Sequence, residues 1–275
     1  AQFAHGILMA TQRGQFGNTV FFLGEIKAGG WWYYFPVIYF FKTPLAFHLL
    51  TLLGIFGVLW SISGYARSRV AGQKQWLKKY FVFFSFAVFI GIYFLVAIFG
   101  NLNIGVRHLL PTFPLLFILV VWGIKELISH ILSKRVRHIA LSIIAALLLW
   151  YIGASTMAFP HYISYYNELV GTQHGYEVAV DSNYDWGQDF YRLLEFVKKN
   201  KIEKLYLDYF GGEDPAYWLG DKYVPLDPRG ARPELVEGWI AVSVNQLQGG
   251  IAKPAAGFDQ PTGYYNWLSQ YTPIA

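Results

Sequence analysis

Arg107 and His108 stand together at the head of an apolar run, Leu109–Ile128, where a cation is costly and a bound anion is a good reason to keep one. A guanidinium presents two parallel N–H donors to the oxygens of a phosphate, and the imidazole of His108 adds a donor beside it. Lys42 precedes another apolar run, Leu45–Ile62, and its stem is long enough to carry the ammonium to the same rim. Cations at two separate positions and one depth suit a single anionic head group. The chemistry expected of Lys42, Arg107 and His108 is therefore recognition of a lipid phosphate. Snorkelling of these side chains toward the membrane interface, with no ligand involved, is the competing reading.

A second stretch with chemical potential is Asp181-Ser182-Asn183-Tyr184-Asp185-Trp186-Gly187-Gln188-Asp189. Oxygen-bearing side chains at alternate positions suit a calcium loop. An EF-hand, however, wants Gly at its sixth position and Glu at its twelfth, where this chain has Trp186 and Arg192. A helix start fits better, with Asp185 as N-cap, Gln188 closing a capping box and Asp189 favoured by the helix dipole. Direct contact of Asp181 or Asp185 with a metal or a sugar stays open. Gly211-Gly212 has the look of a phosphate cradle, but Glu213 and Asp214 would repel a phosphate and Pro215 suits a first helical turn, so capping is expected there. The histidines show no HExxH spacing, and His48 is read as a packing residue. Without cysteine, thiol catalysis, disulfides and Cys-ligated zinc are excluded.

The elements that position these residues follow from hydropathy. Four apolar runs, Leu45–Ile62, Tyr80–Phe99, Leu109–Ile128 and Ile139–Phe159, each approach the ~20 residues needed to span a hydrocarbon core as a helix. Arg67, Arg69, Lys74, Lys78 and Lys79 lie between the first two, and Lys134, Arg135 and Arg137 between the last two. Basic short loops stay in the cytoplasm. Gly100–Arg107, everything before Lys42 and everything after Phe159 are then expected outside. Pro111 and Pro114 fall in the outermost turns of the third span, which favours a widened polar mouth beside Arg107.

Composition agrees with a chain that is half membrane and half soluble domain: 55% hydrophobic, 19% aromatic, mean hydropathy +0.32. The net charge of +5 hides an asymmetry, +11 over residues 1–158 and −6 over residues 159–275. The basic balance reflects membrane topology, and nucleic acid is not an expected partner.

Three domains are expected: residues 1–44 as an outward loop with an aromatic interfacial segment (Trp31 to Phe35), residues 45–159 as a four-helix transmembrane region, and residues 160–275 as an extracytoplasmic α/β domain. Either Phe35–Ile62 is one Pro-interrupted span, or Phe35–Phe41 lies in the interface and the span begins at Pro44. In the last domain Val178–Val180, Leu205–Phe210 and Trp239–Val244 read as strands, and Trp186–Lys199 and Ala216–Leu219 as helices.

Three stretches carry a family resemblance: Phe22-Leu23-Gly24-Glu25 leading to Gly30-Trp31-Trp32-Tyr33-Tyr34-Phe35-Pro36 and Lys42-Thr43-Pro44; Arg107-His108-Leu109-Leu110-Pro111; and Pro160-His161-Tyr162 through Tyr165-Tyr166-Asn167-Glu168 to Asp181–Asp189. Together they resemble the C-terminal part of bacterial GT-C type membrane glycosyltransferases, those similar to protein O-mannosyltransferases and aminoarabinose transferases and related to glycosyltransferase family 39. The resemblance implies transfer of a sugar from a polyprenyl-phosphate donor to a protein, lipid or glycan acceptor at the extracytoplasmic face of the inner membrane. Lys42, Arg107 and His108 would hold the donor phosphate, while Glu25, Asp181 and Asp185 are weaker candidates for substrate contact. In that family an acidic residue in the first outward loop assists transfer, close to a second acid and a divalent metal. The only acids before the last span are Glu25 and Glu126, so the resemblance implies a catalytic base preceding Ala1, no cofactor within this stretch, a chain inactive by itself, and a further strand after Ile274. The alternatives from other classes are a lipid or sugar transporter, which would carry polar residues deep in its spans and internal repeats, and a noncatalytic membrane docking protein.

Overall fold

The computed structural model describes residues 2–66, 69–227 and 238–274. Arg67, counted above among the basic connections, lies outside them, as do Ala1 and Ala275.

Four helices are long and apolar enough to cross a membrane. They are α3 (Leu45–Ala66), α5 (Phe81–Phe99), α6 (Phe113–His130), which continues from a 3-10 turn at Val106–Thr112, and α7 (Lys134–Met157). These match the four apolar runs to within a few residues. Along α5 and α7 no side chain is buried, and Val96 and Leu149 are 69% and 70% exposed. Apolar surface on that scale suits acyl chains rather than water. The basic α4 (Arg69–Lys79) precedes α5. Antiparallel alternation collects the segments before Leu45, between Phe99 and Phe113, and after Met157 at one end of the bundle. Lys74, Lys78 and Lys79 of one short connection and Lys134, Arg135 and Arg137 of the other collect at the opposite end.

Small residues set the tightest contact. Gly54 and Gly57 on α3 face Val120, Gly123 and Leu127 on α6, and a Cβ on Gly123 would collide with the backbone of Gly54. Close helix approach of this kind depends on the missing side chains. Gly123→Leu is expected to cost about 1–3 kcal/mol by overpacking, measurable as a lowered thermal transition in detergent.

The Pro44 ambiguity resolves into two helices. A short helix, α2 (Tyr34–Lys42), ends before extended Thr43, and α3 starts after Pro44. Asn167 closes the end of α2: its Nδ2 donates to Phe40 O (2.7 Å) and Thr43 O (3.1 Å), and its backbone N–H donates to Phe41 O (2.7 Å). The carbonyls that a helix end leaves open are thereby satisfied from another segment. His48, as expected, is a packing residue, against Tyr39 and Phe40, with Nε2 at 2.9 Å from Phe40 O.

Residues 2–28 form α1 (Gln2–Phe16) and a hairpin of β1 (Thr19–Phe22) and β2 (Glu25–Ala28), turned at Leu23 and Gly24, both with positive φ. β2 pairs in parallel with β6 (Lys253–Pro254), so the first and last parts of the chain share one sheet. Phe22 also bridges Ala179, and Phe22, Tyr34, Phe35, Leu109, Tyr166 and Ala179 are buried in one cluster. The strand expected at Val178–Val180 is replaced by a helical turn, α8 (Gly175–Val178), with only the single bridge at Ala179.

A second sheet is parallel, in the order β4 (Tyr223–Pro225), β3 (Leu205–Asp208), β5 (Trp239–Val242). The helix α9 (Phe190–Lys199) buries Phe190 and Val197 against Leu205 and Leu207. Between β3 and β4 runs α10 (Pro215–Leu219), where Asp214 caps Ala216 N–H at 3.0 Å, as the Gly211-Gly212 reading anticipated. After β5 comes α11 (Val244–Ile251).

Candidate functional site

Asn183 organises the end of the bundle where Arg107 lies. It is fully buried, and each of its polar atoms is used. Oδ1 accepts from Val106 N–H (3.1 Å). Nδ2 donates to the Tyr34 hydroxyl (2.8 Å) and to Val180 O (3.2 Å), and its carbonyl accepts from Lys42 Nζ (2.7 Å). Ser182 Oγ donates to Ile104 O, and Gly105, at φ +107, leaves no room for a Cβ against Ser182 and Asn183. The turn Asp181–Asn183 is thus clamped on the loop before Arg107. Burial pushes the Tyr34 hydroxyl well above its ordinary range, which keeps it neutral as Asn183's acceptor.

Arg107 is held from two directions. Its Nε donates to Ile104 O (3.1 Å), and its guanidinium carbon lies 4.4 Å from the centre of the Trp186 ring. Neither Nη nitrogen makes a hydrogen bond among the described residues, so the fork is fixed in place with its donors unspent. Arg107, His108, Tyr93 and Pro111 line an open cleft of about 310 Å³. Pro111, one of the two prolines at the head of the third span, is in this lining, and Tyr93 joins it from α5.

Lys42 reaches the same turn but not the cleft lining. Its Nζ donates to Ile163 O and Asn183 O, both at 2.7 Å, and sits 4.7 Å above the Tyr166 ring. In this geometry it ties α2 to the segment after α7. Burial draws its ammonium down to about 7 from an ordinary value of 10.5. A base whose folded value is depressed contributes stability that is present above its unfolded value and lost as pH falls toward 7. The thermal transition is therefore expected to rise between pH 7 and pH 10, and Lys42→Met to flatten that rise.

The structure corrects the capping box. The helix α9 begins at Phe190, four residues after Trp186, and Asp185 caps a different helix. Its Oδ2 accepts from Val244 N–H (2.9 Å) at the start of α11, and its Oδ1 from Gly187 N–H (3.0 Å). Gln188 Oε1 accepts instead from Trp186 N–H. Helix N-termini at the carboxyl edge of a parallel sheet commonly receive anions, and here an internal carboxylate takes that place. Asp185 stays above the ordinary carboxylate range because of burial, against three backbone hydrogen bonds that pull it down.

Asp181 adopts φ +58, a left-handed conformation that Asp tolerates better than most residues. Its Oδ1 accepts from Ser182 N–H (2.6 Å). Burial raises its pKa, with Arg107 opposing. Asp189 pairs with Arg192, which also contacts His161 Nδ1 at 3.0 Å. Glu25 is exposed on β2, beside Lys253 and apart from the cleft lining. Glu126 accepts from Tyr80 and Trp122 at the opposite end of the bundle. Among the described residues no three His, Asp or Glu side chains converge as a metal set. Both oxygens of Asp185 accept backbone N–H groups, whereas Asp181 accepts one through Oδ1.

Tyr93, Asn183 and Trp186 were not singled out from sequence. The motif that holds the last two was visible. A buried amide carries no hydropathic signature, however, and the partner of an indole lies far away in the chain. No family model, curated protein or solved structure matches this chain.

Proposed function

We propose that this chain is part of a membrane glycosyltransferase that moves a sugar from a polyprenyl-phosphate donor to a protein, lipid or glycan acceptor on the extracytoplasmic face of a bacterial inner membrane. The observation that carries the reading is the Arg107 guanidinium, oriented yet with both Nη groups unspent, opening with His108 into one cleft at the end of four apolar helices. A lipid phosphate reaching that depth from the acyl layer meets a bidentate donor without displacing a protein partner.

In this reading an acceptor heteroatom bonds to the anomeric carbon as the bond between that carbon and the phosphate oxygen breaks, and the electron pair of the broken bond stays on the phosphate. Arg107 and His108 offset that growing charge with preorganised N–H donors. The acceptor's proton goes to a carboxylate outside this cleft. The small α/β domain, joined to the cleft through Asn183, Asp185 and Trp186, covers the site from the extracytoplasmic side.

The orientation follows from the basic residues gathered at the far end of the bundle. The test uses membranes that carry the whole enzyme of which this chain is a part, supplied with polyprenyl-phosphate mannose labelled in the sugar. Release of label to an acceptor supports the reading. Tight donor binding without transfer favours the transporter or docking alternatives. Protection of the C-terminal domain from protease added to spheroplasts, in which the outer membrane has been opened, would overturn it.

A further inference from the structure

Trp186 does more than restrain Arg107. One face of the indole is covered by the guanidinium, yet the residue is 52% exposed, which leaves the remaining ring surface open beside the cleft. Asp181 belongs to the same tight turn, which is closed by Tyr184 and Asp185 N–H groups donating to its carbonyl (2.9 and 3.1 Å). One oxygen of its half-buried carboxylate is held by Ser182 N–H, and Oδ2 makes no hydrogen bond among the described residues. A flat apolar ring and an unspent acceptor, each set against Arg107, suit a pyranose, whose C–H face packs on aromatic surface while its hydroxyls donate to carboxylate.

We infer that Trp186 and Asp181 form a sugar subsite beside Arg107, taking the pyranose esterified to the phosphate that Arg107 reads. The inference rests on the donor-phosphate reading. A single ester oxygen separates the phosphorus from the anomeric carbon, so the sugar ring must lie next to the guanidinium. Trp186 is the aromatic surface stacked there. A ring that only anchored Arg107 would act equally on lipid phosphates with and without a sugar. A subsite discriminates between them.

The experiment compares binding of polyprenyl phosphate and of polyprenyl-phosphate mannose to the protein in nanodiscs of zwitterionic lipid. Trp186→Ala is expected to weaken the mannosyl lipid roughly tenfold and to leave the sugar-free lipid within about twofold. Trp186→Phe should recover most of the loss. Asp181→Asn, which keeps a side chain at ease with positive φ, should weaken only the mannosyl lipid. Equal weakening of both lipids by Trp186→Ala, or no change in either, overturns the subsite. Arg107→Gln separates the two claims. If that variant binds both lipids normally, the phosphate reading fails, and the discrimination by Trp186 still decides whether a sugar sits there.

Discussion

Arg107→Gln is expected to lower sugar transfer by about 10²–10³-fold, the usual loss when one preorganised donor to a developing oxyanion is removed. The loss should fall mainly on kcat, because charge on the phosphate grows as the glycosidic bond breaks and the donor ground state has less to gain. Glutamine keeps much of the stem and can still lie against Trp186, but it lacks the charge and the fork. Arg107→Lys restores charge without the planar pair of donors and should fall between the two. The protein should remain in the membrane fraction, since no apolar helix changes. Undiminished transfer by Arg107→Gln would remove the central support for the phosphate role.

Asn183→Ala is expected to cost about 3 kcal/mol, an unusually large loss for one uncharged side chain. Truncation leaves Val106 N–H without its acceptor and takes the amide donor from Tyr34 OH and Val180 O in a site closed to water. It also loosens the turn that carries Trp186 onto Arg107. A drop in the thermal transition should therefore appear together with weaker lipid-phosphate binding. Asn183→Asp makes the distinction sharper, because it restores the acceptor to Val106 while burying a charge beside the Tyr34 hydroxyl. If either variant melts like the unaltered protein, Asn183 is not the hub that its contacts describe.

Both expectations depend on partners that hydropathy cannot reveal. Asn183 and Tyr34 are separated by 149 residues, and Asp185 meets Val244 across 59. Asp185 shows the difficulty well. Its local pattern with Gln188 satisfied every rule for a capping box, and the folded chain gave the carboxylate to α11 instead, where a parallel strand had already aimed an open helix end. Lys42 is a similar case. Its place at a rim was readable, whereas its commitment to Ile163 and Asn183 carbonyls depends on where the segment after α7 turns back.

Sequence alone determined the four apolar helices, the basic residues at one end of them, the presence of a proline interruption at Pro44 (but not whether the helix stops there) and the presence of cations at the head of two spans. Each of these is a local property, fixed by the cost of placing a side chain in hydrocarbon or of placing proline within a helix. Only tertiary structure decided that β2 would pair with β6 and that Asn183 would hold Val106 and Tyr34. It also decided that Trp186 would stack on Arg107 and leave the fork free. Those outcomes follow from which distant polar groups must satisfy one another once water is excluded, and that is settled by the folded chain as a whole.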